Sequence, residues 1–351
     1  MTEQSITTGK TKVRNSNMEL LRIILMLFII MHHIFVHALD AVPKPPPENL
    51  GIDDFGVWFV NNCVYVGVNC FLLISGYFGI KLSFSKLARI YLQCSIIALL
   101  CYVFHILYSG EAITTDIFLW VLLPISNTGC WFVTVYFMLM LVSPILNLAF
   151  EKMDKRMHIY FLIALFTINV YFGWYWNNIV DQSGSTLMHF IMMYHIGYFI
   201  KHHFDAVRKI KPWQALLMWL IFALMSTGYD FLAVWGKIIC KNSPFSMAAS
   251  ISFFIAFINV EFKNKVINYM ATGVFTVYLI HENTFMTKPI YDFGRGLYSS
   301  NIGGVVLYAI IILAVGVVVG FGLNALVDAI MRSRIGKALD KVHLPIIPQT
   351  A

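Results

Sequence analysis

The stretch ELLRIILMLFIIMHHIFVHAL, from Glu19 to Leu39, decides how the rest of the chain is read. At 1.5 Å per residue it is long enough to cross the hydrocarbon core of a bilayer as a helix, and Ile, Leu, Met and Phe fill most of it. Yet it carries Arg22 near one end and His32, His33 and His37 near the other. Ionisable groups in an apolar span are costly, and they turn towards a bundle interior, a cavity or a pathway. Basic residues precede the run and Ala38 and Ala41 follow it, which is the layout of a signal peptide. The run is too long and too polar for a cleaved apolar region, so it is read as an uncleaved first helix.

The same kind of segment recurs along the chain. Of 351 residues, 59% are hydrophobic and only 12% charged, about half the charged share of a soluble domain. So few charges cannot cover a water-facing surface. Ten spans are expected, near Glu19–Leu39, Val57–Ile80, Lys86–Tyr108, Cys130–Phe150, Met157–Trp176, Thr186–Ile200, Trp213–Trp235, Pro244–Glu261, Val266–Lys288 and Gly303–Ile330. The apolar stretch Ile117–Ile125, bounded by Asp116 and Pro124, is too short to span and reads as a re-entrant or interfacial piece. The expected fold is an all-α polytopic membrane domain over residues 19–331, with short tails at 1–18 and 332–351 and no appended soluble domain.

Lys and Arg alternate between loops. Lys10, Lys12 and Arg14 precede the first span, Lys152, Lys155 and Arg156 follow the fourth, and Arg208, Lys209 and Lys211 follow the sixth. The opposite loops keep only Lys44, Lys237, Lys241, Lys288 and Arg295. This asymmetry predicts both termini in the cytoplasm. The net charge of +7 is spread over these short blocks and forms no single stripe, so membrane lipids are expected partners and nucleic acid is not. Most of the six cysteines, including Cys63, Cys70, Cys94 and Cys101, lie inside apolar runs without a zinc-ligand pattern, as buried small hydrophobes do.

Within the first span, Arg22 and His33 are eleven positions apart. At 100° per residue they fall within about 20° of one face, roughly 16 Å apart along the axis. They are expected to face one interior, Arg22 near the cytoplasmic headgroups and His33 around the bilayer midplane. His32 points about 100° away from His33. His37 stands one turn beyond His33, a metal-ligand spacing, but no nearby Glu, Asp or Cys completes a set, and no metal is expected.

A second cluster, Val277 to Asn283, falls in the ninth span. Counting from the cytoplasmic side puts His281 at nearly the depth of His33. Two buried histidines at one depth point to one shared cavity, with His281 and Glu282 behind the base or on the acceptor side; the bland reading of His281 is an interhelical hydrogen bond. Glu282 has three readings: orienting a histidine, binding a hydroxyl, or facing the outer water. A third cluster, Asn69 to Tyr77, is followed by Lys81, Lys86 and Arg89, cations that serve topology or meet phosphate groups. Ser75 lacks the Gly-x-Ser-x-Gly frame of a hydrolase nucleophile. Gly316, Gly320 and Gly322 form a small-residue packing face.

The run from Glu19 through Arg22 to His33 resembles the first helix of the membrane acyltransferase-3 family, in which an arginine, ten intervening residues and a histidine recur. The resemblance continues at Asn69–Phe78, at Trp131–Asn147 with Ser143-Pro144, at Asn242-Ser243-Pro244 and at Val277–Asn283. Each piece is short, but their order over nearly the whole chain is specific. The resemblance implies transfer of an acyl group, usually acetyl from acetyl-CoA, to a hydroxyl of a cell-surface polysaccharide or lipid-linked sugar. It places Arg22 on the acyl-CoA side and His33 at the transfer step, with no bound cofactor and acetyl-CoA or another acyl-CoA as donor substrate. Lys86 and Arg89 match only loosely the basic residues that the family carries after its second helix. The implied location is a bacterial-type cytoplasmic membrane. The competing reading is a transporter or flippase for a lipid-linked glycan, which also needs a polar cavity among many helices but consumes no acyl-CoA.

Overall fold

The structure is a computed structural model that describes residues 15–42, 51–110, 122–126, 130–176, 183–232, 239–298 and 302–333, and Gly336. No strand occurs among them. Helix α1 (Asn17–His33) continues through a π-helical turn at Ile34–Ala38 and is followed by α2 (Ile52–Val64), α3 (Gly67–Phe78) and α4 (Phe84–Ser109). Next come α5 (Trp131–Lys152), α6 (Lys155–Phe166, extended by a π-helical stretch at Thr167–Tyr175), α7 (Leu187–His203) and α8 (Pro212–Phe231). The remaining helices are α9 (Pro244–Ile258), α10 (Lys265–Met270), α11 (Val274–His281), α12 (Thr287–Leu297) and α13 (Ile302–Arg332).

Local chemistry sets several of these boundaries. The carboxylate of Asp154 accepts the amide of Met157 at 2.8 Å, and the side-chain oxygen of Asn264 accepts that of Val266 at 2.9 Å, each satisfying a helix-start N–H. Asn242-Ser243-Pro244 is a start signal of the same kind: the Ser243 hydroxyl accepts the amide of Ser246 at 3.2 Å and Pro244 sits where no N–H is needed. Gly110, at φ 70°, ends α4 in the left-handed conformation that glycine adopts most readily.

Among the described residues, seven helical stretches are long and apolar enough to cross a membrane: Asn17–Ala38, Asp54–Phe78, Phe84–Ser109, Trp131–Lys152, Lys155–Tyr175, Pro212–Phe231 and Ile302–Arg332. The other three expected spans are helical but shorter. Two are α7, of 17 residues, and α9, of 15 residues. The third is broken, because a 3₁₀ turn at Ala271–Gly273 separates α10 from α11. That span also ends at His281, before the expected Lys288. The side chain of Asn283 accepts the amide of Phe285 at 3.1 Å, a local bond that turns the chain out of the helix, and Lys288 belongs to the separate helix α12. Residues 1–14, the proline-rich connector at 43–50, most of the 332–351 tail and the end of the seventh expected span, 233–235, lie outside the described residues. So does most of the short apolar stretch 117–125, but its last residues sit between α4 and α5. Tyr91 donates to the carbonyl of Leu122 at 2.6 Å, and Thr134 donates to that of Ile125.

The distribution of polarity is reversed relative to a water-soluble protein. Leu107, Tyr160 and Val318 are among the most exposed side chains, whereas Asn69, His158, His189, His195 and Thr276 are fully buried. Lipid is the solvent for which such a surface is favourable. The core has two halves joined by α1. Leu21 and Leu25 pack with α3, α7 and α9, while Ile30, Ile34 and Phe35 pack with α11, α12 and α13.

Glycines permit the closest helix approaches. A Cβ on Gly76 would land on the carbonyl oxygen of Tyr194, and one on Gly197 would meet that of Leu73, so α3 and α7 touch backbone to backbone. In α13, Gly316 faces Val277 and Gly320 faces Gly273, but Gly322 meets nothing within 4 Å and is not part of the expected packing face. Gly76→Ala should therefore destabilise the protein by about 1–3 kcal/mol through overpacking. Gly228→Ala, where an added Cβ meets nothing within 4 Å, should not. Thermal unfolding in detergent measures the difference; equal melting of the two variants would show that α3 and α7 do not pack this closely.

Candidate active site

A cavity of about 690 Å³ runs along α1, walled by α1, α3, α5 and α11. Along α1 its lining runs from Arg22 through His33 to His37, and Glu282 and Lys241 also line it. Arg22 and His37 are fifteen positions apart, or about 22 Å along the helix axis, so the cavity covers most of the thickness of a bilayer core.

The two histidines at matching depth on separate spans meet here. The rings of His33 and His281 stack with centroids 5.3 Å apart and an interplanar angle of 12°. Nδ1 of His33 lies 2.7 Å from Oε1 of Glu282, the residue immediately after α11. His281 is fully buried behind this pair, with Nε2 4.0 Å from the same carboxylate oxygen. His37, on the π-helical turn, adds a ring 5.6 Å from His33. Nδ1 of His33 makes no aligned hydrogen bond there, so of the three readings open for Glu282 this close contact favours a carboxylate that acts on a histidine through its charge. The small residues Gly316 and Gly320 let α11 sit deep enough against α13 to bring its end to α1.

Arg22 borders the cavity, and its Nη1 lies 2.6 Å from Oε1 of the nearly buried Glu19, one turn earlier. A guanidinium carries five N–H donors, so this contact leaves others for a further anion. Lys86 and Arg89 are placed elsewhere. The Lys86 ammonium donates to the carbonyl of Lys81 at 2.7 Å, Arg89 pairs with Asp328 at 2.5 Å, and neither borders the cavity. Ser75 does border it, but its hydroxyl donates to the carbonyl of Phe71 at 2.9 Å and lies 3.1 Å from that of Tyr136, as a wall residue. Asn69 and Asn147 also serve structure: Asn69 donates to the carbonyl of Lys241 at 2.9 Å, and Asn147 donates to that of Ile80 at 2.9 Å.

His32 turns towards α2, with Nδ1 2.8 Å from Oδ1 of Asn61 and its ring 4.7 Å from that of Tyr65. The cavity is wide enough that His32 still borders it, although its direction differs from that of His33. Lys241, by sequence one of the few cations of the outer loops, lines the cavity as well: its ammonium stands 4.7 Å from the Trp131 ring centroid, 5.9 Å from that of Tyr65 and 3.0 Å from the Ser185 hydroxyl. Its place next to Asn242-Ser243-Pro244 was the available signal, because a helix start fixes the residues just before it. The expectation that no acid stands near His33 and His37 is corrected. Glu282 supplies one from another helix, so that one ligand atom from each of His33, His281 and Glu282 lies within 4.8 Å of the others.

Apolar helices with a lipid-compatible exterior, packed around a cavity lined by a histidine–carboxylate pair, define an integral membrane protein with a candidate active site among its helices. Residues 15–323 match the family model of the acyltransferase domain named acyltransferase-3. The chain belongs to that family and is a membrane acyltransferase. No curated protein and no solved structure matches it.

Proposed function

We propose that this protein transfers an acyl group, acetyl first among the candidates, from acyl-CoA to a hydroxyl of a cell-surface polysaccharide or lipid-linked sugar in a bacterial-type cytoplasmic membrane. The observation that carries the reading is the 2.7 Å contact of His33 with Glu282 inside a cavity that also reaches Arg22. A carboxylate beside Nδ1 favours the proton on that nitrogen and leaves Nε2 as the base. Nε2 takes the proton of the acceptor hydroxyl as its oxygen attacks the thioester carbonyl. The C–O bond forms, the C–S bond breaks, and the imidazolium returns the proton to the departing thiolate.

With the Arg22 end facing the cytoplasm, ten membrane crossings and both termini inside, the coenzyme phosphates meet Arg22 and the narrow pantetheine arm reaches along α1. The acceptor arrives from the His37 end. Lys86 and Arg89 then act only at the approach to the cavity, if the donor's nucleotide extends that far. Purified protein incubated with radiolabelled acetyl-CoA and candidate glycans should transfer label to the glycan. If acyl-CoA is neither bound nor consumed while a lipid-linked glycan crosses the bilayer, the transporter reading replaces this one.

The two ends of the cavity predict separable defects. Arg22→Gln should weaken binding of a non-reactive acyl-CoA analogue by about ten- to a hundred-fold, the cost of one charge-assisted contact. His33→Gln should leave that binding largely intact. Normal analogue binding by Arg22→Gln would make Arg22 a partner of Glu19 only.

A further inference from the structure

His281 is fully enclosed, and neither of its ring nitrogens hydrogen-bonds to any described residue. A buried imidazole in this state is costly unless something else satisfies it. Its Nε2 is 4.0 Å from the Glu282 oxygen that lies 2.7 Å from Nδ1 of His33. Around a tetrahedral zinc ion with bonds of about 2.0–2.2 Å, neighbouring ligand atoms stand roughly 3.3–3.5 Å apart. The two separations bracket that value. All three ligand atoms lie within 4.8 Å of one another, so His33 and Glu282 need to part by less than about 1 Å and His281 to close in by no more than about 1.5 Å, within the reach of side-chain torsions. Two imidazoles and one carboxylate form a known three-ligand zinc set with an open fourth position, and such ligands select zinc over magnesium or calcium. His33 and Glu282 line the cavity, which gives the ion a route in.

We propose that a divalent transition-metal ion, with Zn²⁺ the best fit, binds His33, His281 and Glu282 and thereby shuts off acyl transfer. The inhibitory half rests on the reading of His33 as base. Coordination through Nδ1 moves the imidazole proton to Nε2, which can then no longer take the acceptor's proton, and it engages the carboxylate charge that favours the productive tautomer. The binding half does not depend on that reading. It is also distinct from the second buried histidine pair, where Nδ1 of His158 lies 2.7 Å from Nε2 of His195. That pair has no third acidic, histidine or cysteine ligand in range among the described residues.

The test uses the full-length protein in detergent, stripped with EDTA. Co²⁺ is followed by its visible absorption, and Zn²⁺ by competition with a chromophoric chelator. One ion per chain should bind in the parent. His281→Gln and Glu282→Gln should each weaken binding by more than about a hundredfold, beyond the ten- to hundredfold that loss of an outer-shell partner costs, while His158→Gln binds like the parent. Gel filtration identifies any variant that has not folded, and because Glu282→Gln preserves shape, the two variants guard each other. No stoichiometric site in the parent, parent-like binding by both site variants, or loss of binding in His158→Gln overturns the proposal. Labelled acetyl transfer should fall with Zn²⁺ occupancy and recover on adding EDTA. Binding without inhibition, or with faster transfer, overturns the inhibitory half. Stoichiometric binding in a protein that transfers no acyl group under any condition supports the metal site and counts against the acyltransferase reaction proposed above.

Discussion

Replacing His33 with Gln should reduce acyl transfer by about two to four orders of magnitude, the range that a general base supplies. Membrane abundance should stay near that of the parent. His33 borders the cavity and is not fully packed, and Gln keeps a polar side chain in its place. The paired measurement is His32→Gln. His32 also borders the cavity, but its Nδ1 is engaged with Asn61 and its ring lies against Tyr65. Its loss should lower transfer far less, because the carboxylate that prepares a histidine for proton transfer stands beside His33. Equal losses in the two variants, with both folded, would remove His33 from the proposed role. Initial rates at saturating acetyl-CoA are the readout, so that a change in donor binding does not pass for a change in chemistry.

Glu282→Gln should produce the second large effect. The carboxamide keeps the size of the side chain but removes the charge beside Nδ1 of His33, and with it the preference for the tautomer that leaves Nε2 free. A loss on the order of a hundredfold in turnover is expected, below the ~10⁴ that the triad aspartate supplies in serine proteases. Analogue binding at the Arg22 end should be unaffected. Glu282→Asp, which keeps the charge on a shorter arm, should recover part of the rate. If Glu282→Asp and Glu282→Gln are equally slow and both bind the analogue, charge is not what Glu282 contributes.

Much of the architecture is legible in the sequence because a lipid solvent leaves few alternatives. Apolar runs must be helical, and the fully buried polar residues must turn inwards. The spacing of Arg22 and His33 places both on one cavity wall because it depends only on the pitch of a single helix. The partnership of His33 with Glu282 is of another kind. It joins residues on helices α1 and α11, and depends on how closely α13 lets α11 approach, which rests on Gly316 and Gly320. No local pattern encodes that distance. The same limit explains Arg89, whose position after the second span gives no sign of Asp328 near the far end of the chain. It explains the ninth span as well. The expected span runs to Lys288, whereas the helix ends at His281 and the side chain of Asn283 accepts the amide of Phe285 just beyond it.

The π-helical turn at Ile34–Ala38 follows directly after His33. Such a turn holds one residue more than the α-helical turn it replaces. A single-residue deletion within it is thus a natural way for the chain to shorten without losing its helix. The wide turn would close into an α-helical one, so the residues on either side of it would keep their faces. Arg22 and His33 would stay on the cavity wall. The turn is in this sense slack in the first helix, a place where its length can change by one residue without moving the chemistry.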